Sequence, residues 1–457
     1  MKVTGVILAA GKGTRMKSDL PKVLHSVLGQ PMINYGQSAI KHLNHKYVVV
    51  GHKSELVINQ LQAGFKSVLQ KEQLGTGHAV ATLLNSEEFI EDDADYIVII
   101  PGDVPLLIKK NIDRLIEQSF EKNAALGIIT AEVSNPAGYG RIIRKGDAIT
   151  KIVEEADSSE AEKQIKEVNS GMYCFNKKFL SQNIEKLDDN NEQNEIYLTD
   201  LIEIAFLNKL DTVIVKVSED TIKGVNSMSQ LNDVEKTLRE KLISLHMENG
   251  VYFQDASTTY IDESVLIKAG TRIMANTHLT GTTEIHENCT VGPNTMINDS
   301  SIGSNSNIIL SVLDGVTVKG TATIGPYAHL RKGSVLELDV KIGAFAETKN
   351  SNIGKGSKIP HLAYVGDADL KENVNFSAGS ITVNYDGKNK HRTDIKKDAF
   401  IGSDVMLVAP VTIGEGAMIG AGSVITKDVP SKALGIERNQ QKNIEGYMDR
   451  KKPKGEN

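Results

Sequence analysis

"IKKDAFIGSDVMLVAPVTIGEGAMIGAGSVITK", residues 395–427, decides the fold of half of this chain. Ile395, Ile401, Leu407, Ile413, Ile419 and Ile425 stand six residues apart without a miss. Glycine often follows the aliphatic, as in "IGSDVM", "IGEGAM" and "IGAGSV". A hexapeptide period of aliphatic and small residues is the mark of a parallel β-helix. Each aliphatic points inward, small residues allow tight corners, and coils stack about 4.8 Å apart.

The period runs back through the second half. Ile267, Ile273, Leu279, Ile285, Val291 and Ile297 keep it, the phase slips, and Val318, Ile324, Leu330, Leu336 and Ile342 resume it. Ile353, Ile359 and Val365 follow. It breaks at "ITVNYDGKNKHRTD", residues 381–394, a polar stretch that reads as a loop thrown out from one corner. Aromatic residues are 5% of the chain and tryptophan is absent, as a core of small aliphatics requires.

Residues 1–226 follow another grammar. "KVTGVILAA", "KYVVVGH", "YIVIIPGD", "AALGIITAEV" and "DTVIVKV" are short apolar runs separated by helical stretches such as 31–43 and 110–122. Unbroken apolar strands alternating with helices predict an α/β domain with a largely parallel sheet, whose ligands bind at the strands' carboxyl ends. Residues 227–250 carry apolar residues at helical spacing (Leu231, Val234, Leu238, Leu242, Leu245) and predict a linker helix. The β-helix then runs over 251–440, and 441–457 is a charged tail without apolar anchors, expected to be disordered.

The bulk properties exclude several classes. A net charge of −6 offers no field for nucleic acid or an acidic membrane. No apolar run reaches the length of a membrane span, and no signal peptide is recognisable, so a cytoplasmic protein is expected. The two cysteines, Cys174 and Cys289, are far apart and outside any CxxC pattern, which argues against a disulfide framework or a zinc site.

"VILAAGKGTRM", residues 6–16, follows the first strand and reads as a phosphate loop. It is not a Walker A loop, because GxxxxGK[ST] does not match. Gly11 and Gly13 let backbone N–H groups approach phosphate oxygens, while Lys12, Arg15 and Lys22 add charge suited to a triphosphate. "LAAGKGTRM…LPKVL" resembles the signature of sugar-1-phosphate nucleotidyltransferases, and "LQKEQLGTGHA", "PGDVPL", "GYGRI", "IVEEAD", "VNSGMY" and "GVNS" extend the likeness in order. With the hexapeptide half, nearly the whole chain resembles one bacterial family. Its members join an N-acetylglucosamine-1-phosphate uridylyltransferase to a glucosamine-1-phosphate N-acetyltransferase.

The resemblance implies an α/β Rossmann-like nucleotidyltransferase domain followed by a left-handed parallel β-helix. It implies that a sugar-1-phosphate attacks the α-phosphorus of UTP and releases pyrophosphate. Leu8, Ala9, Ala10 and Gly11 would line the nucleotide, Arg15 and Lys22 would neutralise phosphates, and Gln70 with Gly75 and Thr76 would read the uracil. Glutamine offers the donor and acceptor that a pyrimidine edge needs. Asp103 and Asn226 would hold Mg²⁺, which accepts few protein oxygens beside phosphates and waters. Gly140, Glu154 and Asn169 would hold the sugar. Pro101, two residues before Asp103, departs from the tyrosine often found there.

In "IPHLAYVGDADLKENVNFSAGSITVNYDG", residues 359–387, the resemblance assigns His361 as the general base for acetyl transfer from acetyl-CoA. Histidine, with a reference pKa of about 6.5, suits removal of an amine proton near neutral pH. Arg331, Lys349, Tyr364 and Asn375 would bind the sugar phosphate. Ala378, Asn384, Tyr385, Ser403, Ala421 and Arg438 would bind acetyl-CoA, with Arg438 towards the 3′-phosphate. The family forms homotrimers and supplies cell-envelope precursors. Two other readings stay open at this point: a single nucleotidyltransferase with a regulatory β-helix, and a scaffold without activity.

Overall fold

A computed structural model describes residues 2–450. The chain divides into two compact units, Met1–Leu238 and Arg239–Asn457.

The first unit is built on a nine-stranded sheet. The apolar runs form the strands Val3–Ala9, His45–Val50, Tyr96–Pro101, Leu126–Glu132 and Thr212–Val217. Val3–Ala9 lies parallel to both His45–Val50 and Tyr96–Pro101. The expectation of a largely parallel sheet needs one correction. The ten-residue strand Glu167–Asn176 runs between Tyr96–Pro101 and Leu126–Glu132, antiparallel to both. Its register shifts between Asn169 and Tyr173, and such a bulge re-aims side chains locally. A hairpin of Arg141–Lys145 and Ala148–Val153 hangs from it. The expected helices are Ile33–Ile40 and Lys109–Glu121.

The helix Met228–Glu248 departs from the single apolar stripe expected of it. Val234 is buried in its first half, Ile243 and His246 in its second, and Leu245 is 53% exposed. Val234 and Ile243 are nine residues apart, which at about 100° per residue places them on opposite faces. The two halves bury different sides, so a stripe drawn through both misplaces Leu245.

The second unit is a left-handed β-helix of parallel strands in three sheets. Every aliphatic of the hexapeptide series from Ile267 to Ile425 is buried, most of them completely. Burying one such side chain stabilises the fold by about 1.5–3 kcal/mol, and truncating one to alanine costs about 2–5 kcal/mol. The phase slip has a simple cause. Ile273 pairs with Val291, eighteen residues on, but Ile285 pairs with Ile302, seventeen on, and Ile297 with Leu313, sixteen on. Residues are dropped between the inward positions while the stacking persists. Thr348 fills one inward position opposite Leu330, where its hydroxyl donates to Ser334 Oγ at 2.9 Å.

The expected loop is shorter than its polar sequence. Ile381–Val383 and Thr393–Ile395 remain strands, so only the residues between them leave the wall. Leu370 pairs with Ile395, twenty-five residues on, and stacking resumes above the insertion. Residues 441–450 are exposed and form no strand; 451–457 of the expected tail lie outside the described residues. Among the described residues, no helix is long and apolar enough to cross a membrane. Cys174 and Cys289 are buried and free.

Candidate functional sites

At the carboxyl ends of the first unit's central strands lies a cavity of about 480 Å³. Leu8, Ala9, Ala10, Gly11, Lys22, Gln70, Gly75, Thr76, Asp103, Gly140, Glu154 and Asn169 all line it. Arg15 and Asn226 are not in the lining; they stand beside it, joined through an Arg15 Nη2–H that donates to Asn226 Oδ1 at 2.9 Å. No α-helix follows the glycine loop, only the short 3₁₀ turns Thr14–Met16 and Lys22–Leu24. Anion binding here falls to backbone N–H groups and cations rather than to a helix terminus. A side chain at Gly11 would meet nothing within 4 Å, so the loop is open at that residue.

The two halves of the cavity have different chemistry. At one end Gln70 is buried, with its amide nitrogen 3.3 Å from Gly75 O and 3.0 Å from His78 Nδ1. The donor group is thus committed within the chain and Oε1 is left as an acceptor. That narrows the expectation that both functions serve the base. At the other end the Thr199 hydroxyl donates to Glu154 Oε1 at 3.3 Å, and burial pushes the Glu154 carboxyl above its ordinary value. Asn169 donates to Tyr173 Oη at 2.7 Å, accepts from Gly171 N–H at 3.0 Å, and gives its backbone N–H to Gly140 O at 2.9 Å. The strand bulge brings Asn169, Ser170 and Gly171 together on the cavity wall.

Between these ends, Asp103 and Asn226 converge. Lys22 Nζ contacts Asp103 Oδ2 and lies 2.9 Å from Asn226 Oδ1. Val225 N–H donates to Asp103 O at 2.9 Å, which fixes one segment on the other. Two hard oxygens directed at one cationic nitrogen are a donor set that fits Mg²⁺.

In the second unit, one corner of the β-helix collects the candidate residues. His361 pairs with Ala344 on the coil before it. Gly379 N–H donates to Leu362 O, Asp404 N–H to Ala378 O and Gly422 N–H to Ser403 O, at 2.8–3.0 Å. His361, Ala378, Ser403 and Ala421 therefore occupy one column on successive coils. Arg438 lies one coil further on in the adjoining column, below Gly422, with its Cδ 3.9 Å from where a side chain on Gly422 would begin. At about 4.8 Å per coil, His361 and Ala421 are about 14 Å apart. A base at the top, small residues below and a cation at the foot form a narrow track.

The same corner changes character at His361. The adjoining positions are Tyr327 and Phe345 on the two preceding coils, Leu362 on the coil of His361 itself, and Gly379, Asp404 and Gly422 below. Tyr327, Phe345 and Leu362 have φ of 59°, 59° and 39° and are 56%, 61% and 66% exposed. Bulky side chains seldom adopt that backbone region.

Beside the track, Arg331 Nη1–H donates to Glu347 Oε1 at 2.8 Å. The neighbouring Lys390 pushes Lys349 below its ordinary pKa, so cations crowd this wall. Asn384 donates to the buried Asp367 Oδ2 at 2.5 Å and lies 3.5 Å from Tyr364 Oη, tying the inserted loop to the wall. Asn375 donates to Ser377 Oγ at 2.8 Å, and Tyr385, on the loop, is 57% exposed.

A nucleotidyl transferase family model matches residues 4–219, and a bacterial transferase hexapeptide model (six repeats) matches 264–299 and 392–427. A bifunctional protein GlmU from Carboxydothermus hydrogenoformans is 46% identical over 448 residues, covering 97% of this chain and 99% of its own. The chain belongs to the GlmU family. GlmU proteins of Caldanaerobacter subterraneus and Alkaliphilus metalliredigens are 46% and 44% identical, each covering 99% of both chains.

This GlmU family member also has residues at its sites that the sequence did not single out. Thr199 lines the cavity but belongs to no motif, and Tyr173 lines it as the closing residue of "VNSGMY", where only Asn169 was expected to act. The Glu155 carboxylate takes the Gly138 N–H at 3.0 Å and the buried Arg141 guanidinium at 2.6 Å, clamping the "GYGRI" turn. Lys390 sits in the polar insertion, where a lysine carries no signal of its own. Pro101, the departure from the family pattern, lines the cavity, as does Asp103.

Proposed function

We propose that this chain makes UDP-N-acetylglucosamine in two steps. It first transfers acetyl from acetyl-CoA to glucosamine-1-phosphate, then transfers uridylyl from UTP to the product. The observation that carries the reading is the presence on one chain of both a cation-lined nucleotide cavity and the small-residue track below His361.

In acetyl transfer, the amine nitrogen attacks the thioester carbonyl carbon, His361 accepts the amine proton, and the C–S bond breaks to release the CoA thiolate. Arg331 and Lys349 hold the sugar phosphate, with Tyr364 and Asn375 beside it. Ala378, Ser403 and Ala421 let the pantetheine arm lie along the corner, Asn384 and Tyr385 flank it, and Arg438 meets the 3′-phosphate. No acyl-enzyme is needed, and neither cysteine lies on the track.

In uridylyl transfer, a phosphate oxygen of the sugar-1-phosphate attacks the α-phosphorus and the bond to pyrophosphate breaks. Such a reaction depends on positioning and charge neutralisation. Gln70 Oε1 accepts the uracil N3–H, which cytosine lacks. Arg15 and Lys22 neutralise the leaving phosphates, and Glu154 and Asn169 orient the sugar. Asp103 and Asn226 would hold Mg²⁺, which would supply further neutralisation of phosphate charge.

We further propose that the enzyme is a homotrimer acting in the cytoplasm, where its nucleotide and acyl donors occur. The exposed ladder of Tyr327, Phe345 and Leu362 beside His361 supports a covering neighbour copy. The decisive experiment is thiol release from acetyl-CoA with glucosamine-1-phosphate present and UTP absent. Release that needs the sugar and falls about 10²–10⁴-fold in His361→Ala is expected. No release, with UTP chemistry intact, would make the β-helix a regulatory domain.

A further inference from the structure

The Lys22 ammonium stands between two oxygens, Asp103 Oδ2 on the wall of the nucleotide cavity and Asn226 Oδ1 beside it. It contacts Asp103 Oδ2 and lies 2.9 Å from Asn226 Oδ1, the oxygen that also accepts from Arg15. The Lys22 and Asp103 side chains are only 19% and 16% exposed, so solvent screens this pair weakly. The base of the lysine is fixed. Val23 and Leu24 are buried in the turn it begins, and a side chain on Gly13 would come within 2.8 Å of Lys22 Cβ. Beyond that base lies a flexible four-carbon stem ending in a compact charge.

Resting on the reading that Asp103 and Asn226 hold the divalent cation, we propose that Lys22 is a place-holder for it. The ammonium and the cation compete for the same two oxygens: Lys22 already holds Asp103 Oδ2, Asn226 Oδ1 already accepts from both Lys22 and Arg15, and a doubly charged ion added to that group would be strongly repelled unless the ammonium left. The cation therefore enters only when the ammonium has somewhere better to go. Lys22 also lines the cavity, so the triphosphate offers that place. The nucleotide draws the ammonium onto its phosphates and uncovers the oxygens. Metal and nucleotide then bind as a pair, and the divalent cation alone binds poorly. This gives Lys22 a second role that its charge by itself does not imply.

The test is Mn²⁺ binding to the full-length protein without nucleotide, followed by the loss of the free-ion electron paramagnetic resonance signal. Lys22→Met keeps the stem and removes the charge; Lys22→Gln serves as a second variant should the first fail to fold. Lys17→Met, on the same loop but exposed, controls for the loss of one positive charge. Both Lys22 variants should bind Mn²⁺ about tenfold more tightly than the wild type, Lys17→Met should stay within about twofold of it, and adding Asp103→Ala should erase the gain. Equal affinities in the wild type and the Lys22 variants, with binding still dependent on Asp103, would overturn the place-holder role alone. A gain that survives Asp103→Ala would overturn the metal assignment beneath it.

Discussion

The Gly75 Cα faces the Ile196 backbone so closely that a side chain at 75 would begin 2.5 Å from Ile196 O and 2.8 Å from Ile196 N. Gly75 also has φ of 108°, outside the range of ordinary residues. Gly77 N–H donates to the same Ile196 O at 2.8 Å, and Leu198 N–H donates to Thr76 Oγ1 at 3.1 Å. The turn is locked against the segment that carries Thr199. Gly75→Ala should cost about 1–3 kcal/mol in chemical denaturation and raise the KM for UTP about tenfold, with thiol release unchanged. Unaltered UTP kinetics would remove this turn from the nucleotide site.

Asp103 belongs to one unit and His361 to the other, which makes the two activities separable. Asp103→Ala should abolish UDP-sugar formation, measured as pyrophosphate release, and leave acetyl transfer at the wild-type rate. Normal pyrophosphate release by this variant would refute the assignment of Asp103.

Asp200 opens the helix Asp200–Leu207, beside Thr199. A helix N-terminus favours a carboxylate. Burial nevertheless pushes this one up from 3.8 to about 6, aided by Asp188, Glu203 and Asp157. A carboxyl whose pKa is raised on folding contributes stability that is complete below its unfolded value and lost as pH climbs through its folded one. Asp200→Asn should melt with the wild type near pH 4 and above it at about pH 7, the gap opening between. A gap independent of pH across that window would contradict the shift.

Arg438 closes the track that begins at His361. Arg438→Ala should raise the KM for acetyl-CoA about tenfold and leave the KM for 3′-dephospho-acetyl-CoA unchanged, because that analogue lacks the group the guanidinium meets. Equal losses with both donors would assign Arg438 to the wall rather than the phosphate.

The β-helix was legible because its inward positions are chemically uniform: a strict spacing of aliphatics cannot be mistaken for another fold. What hid from it were positions where a different residue does the same work, such as Thr348, which satisfies its hydroxyl through Ser334. The first unit was legible where strands are buried on both faces. Glu167–Asn176 was not, because Asn169, Ser170 and Gly171 interrupt its apolar run at the bulge. The loop motifs led to the cavity's phosphate and base ends. Thr199 and Lys390 had no motif to announce them, since tertiary proximity alone gives them a place.

The column from His361 to Ala421 also makes the wall a ruler. Distance along it comes in whole coils of about 4.8 Å, so the reach from base to terminal cation cannot be adjusted by fractions of a turn. Losing one residue between inward positions, as happens between Ile285 and Ile302, leaves the count unchanged. Deleting a complete coil would bring Arg438 one step nearer to His361. Such a protein would be graduated for a shorter carrier arm.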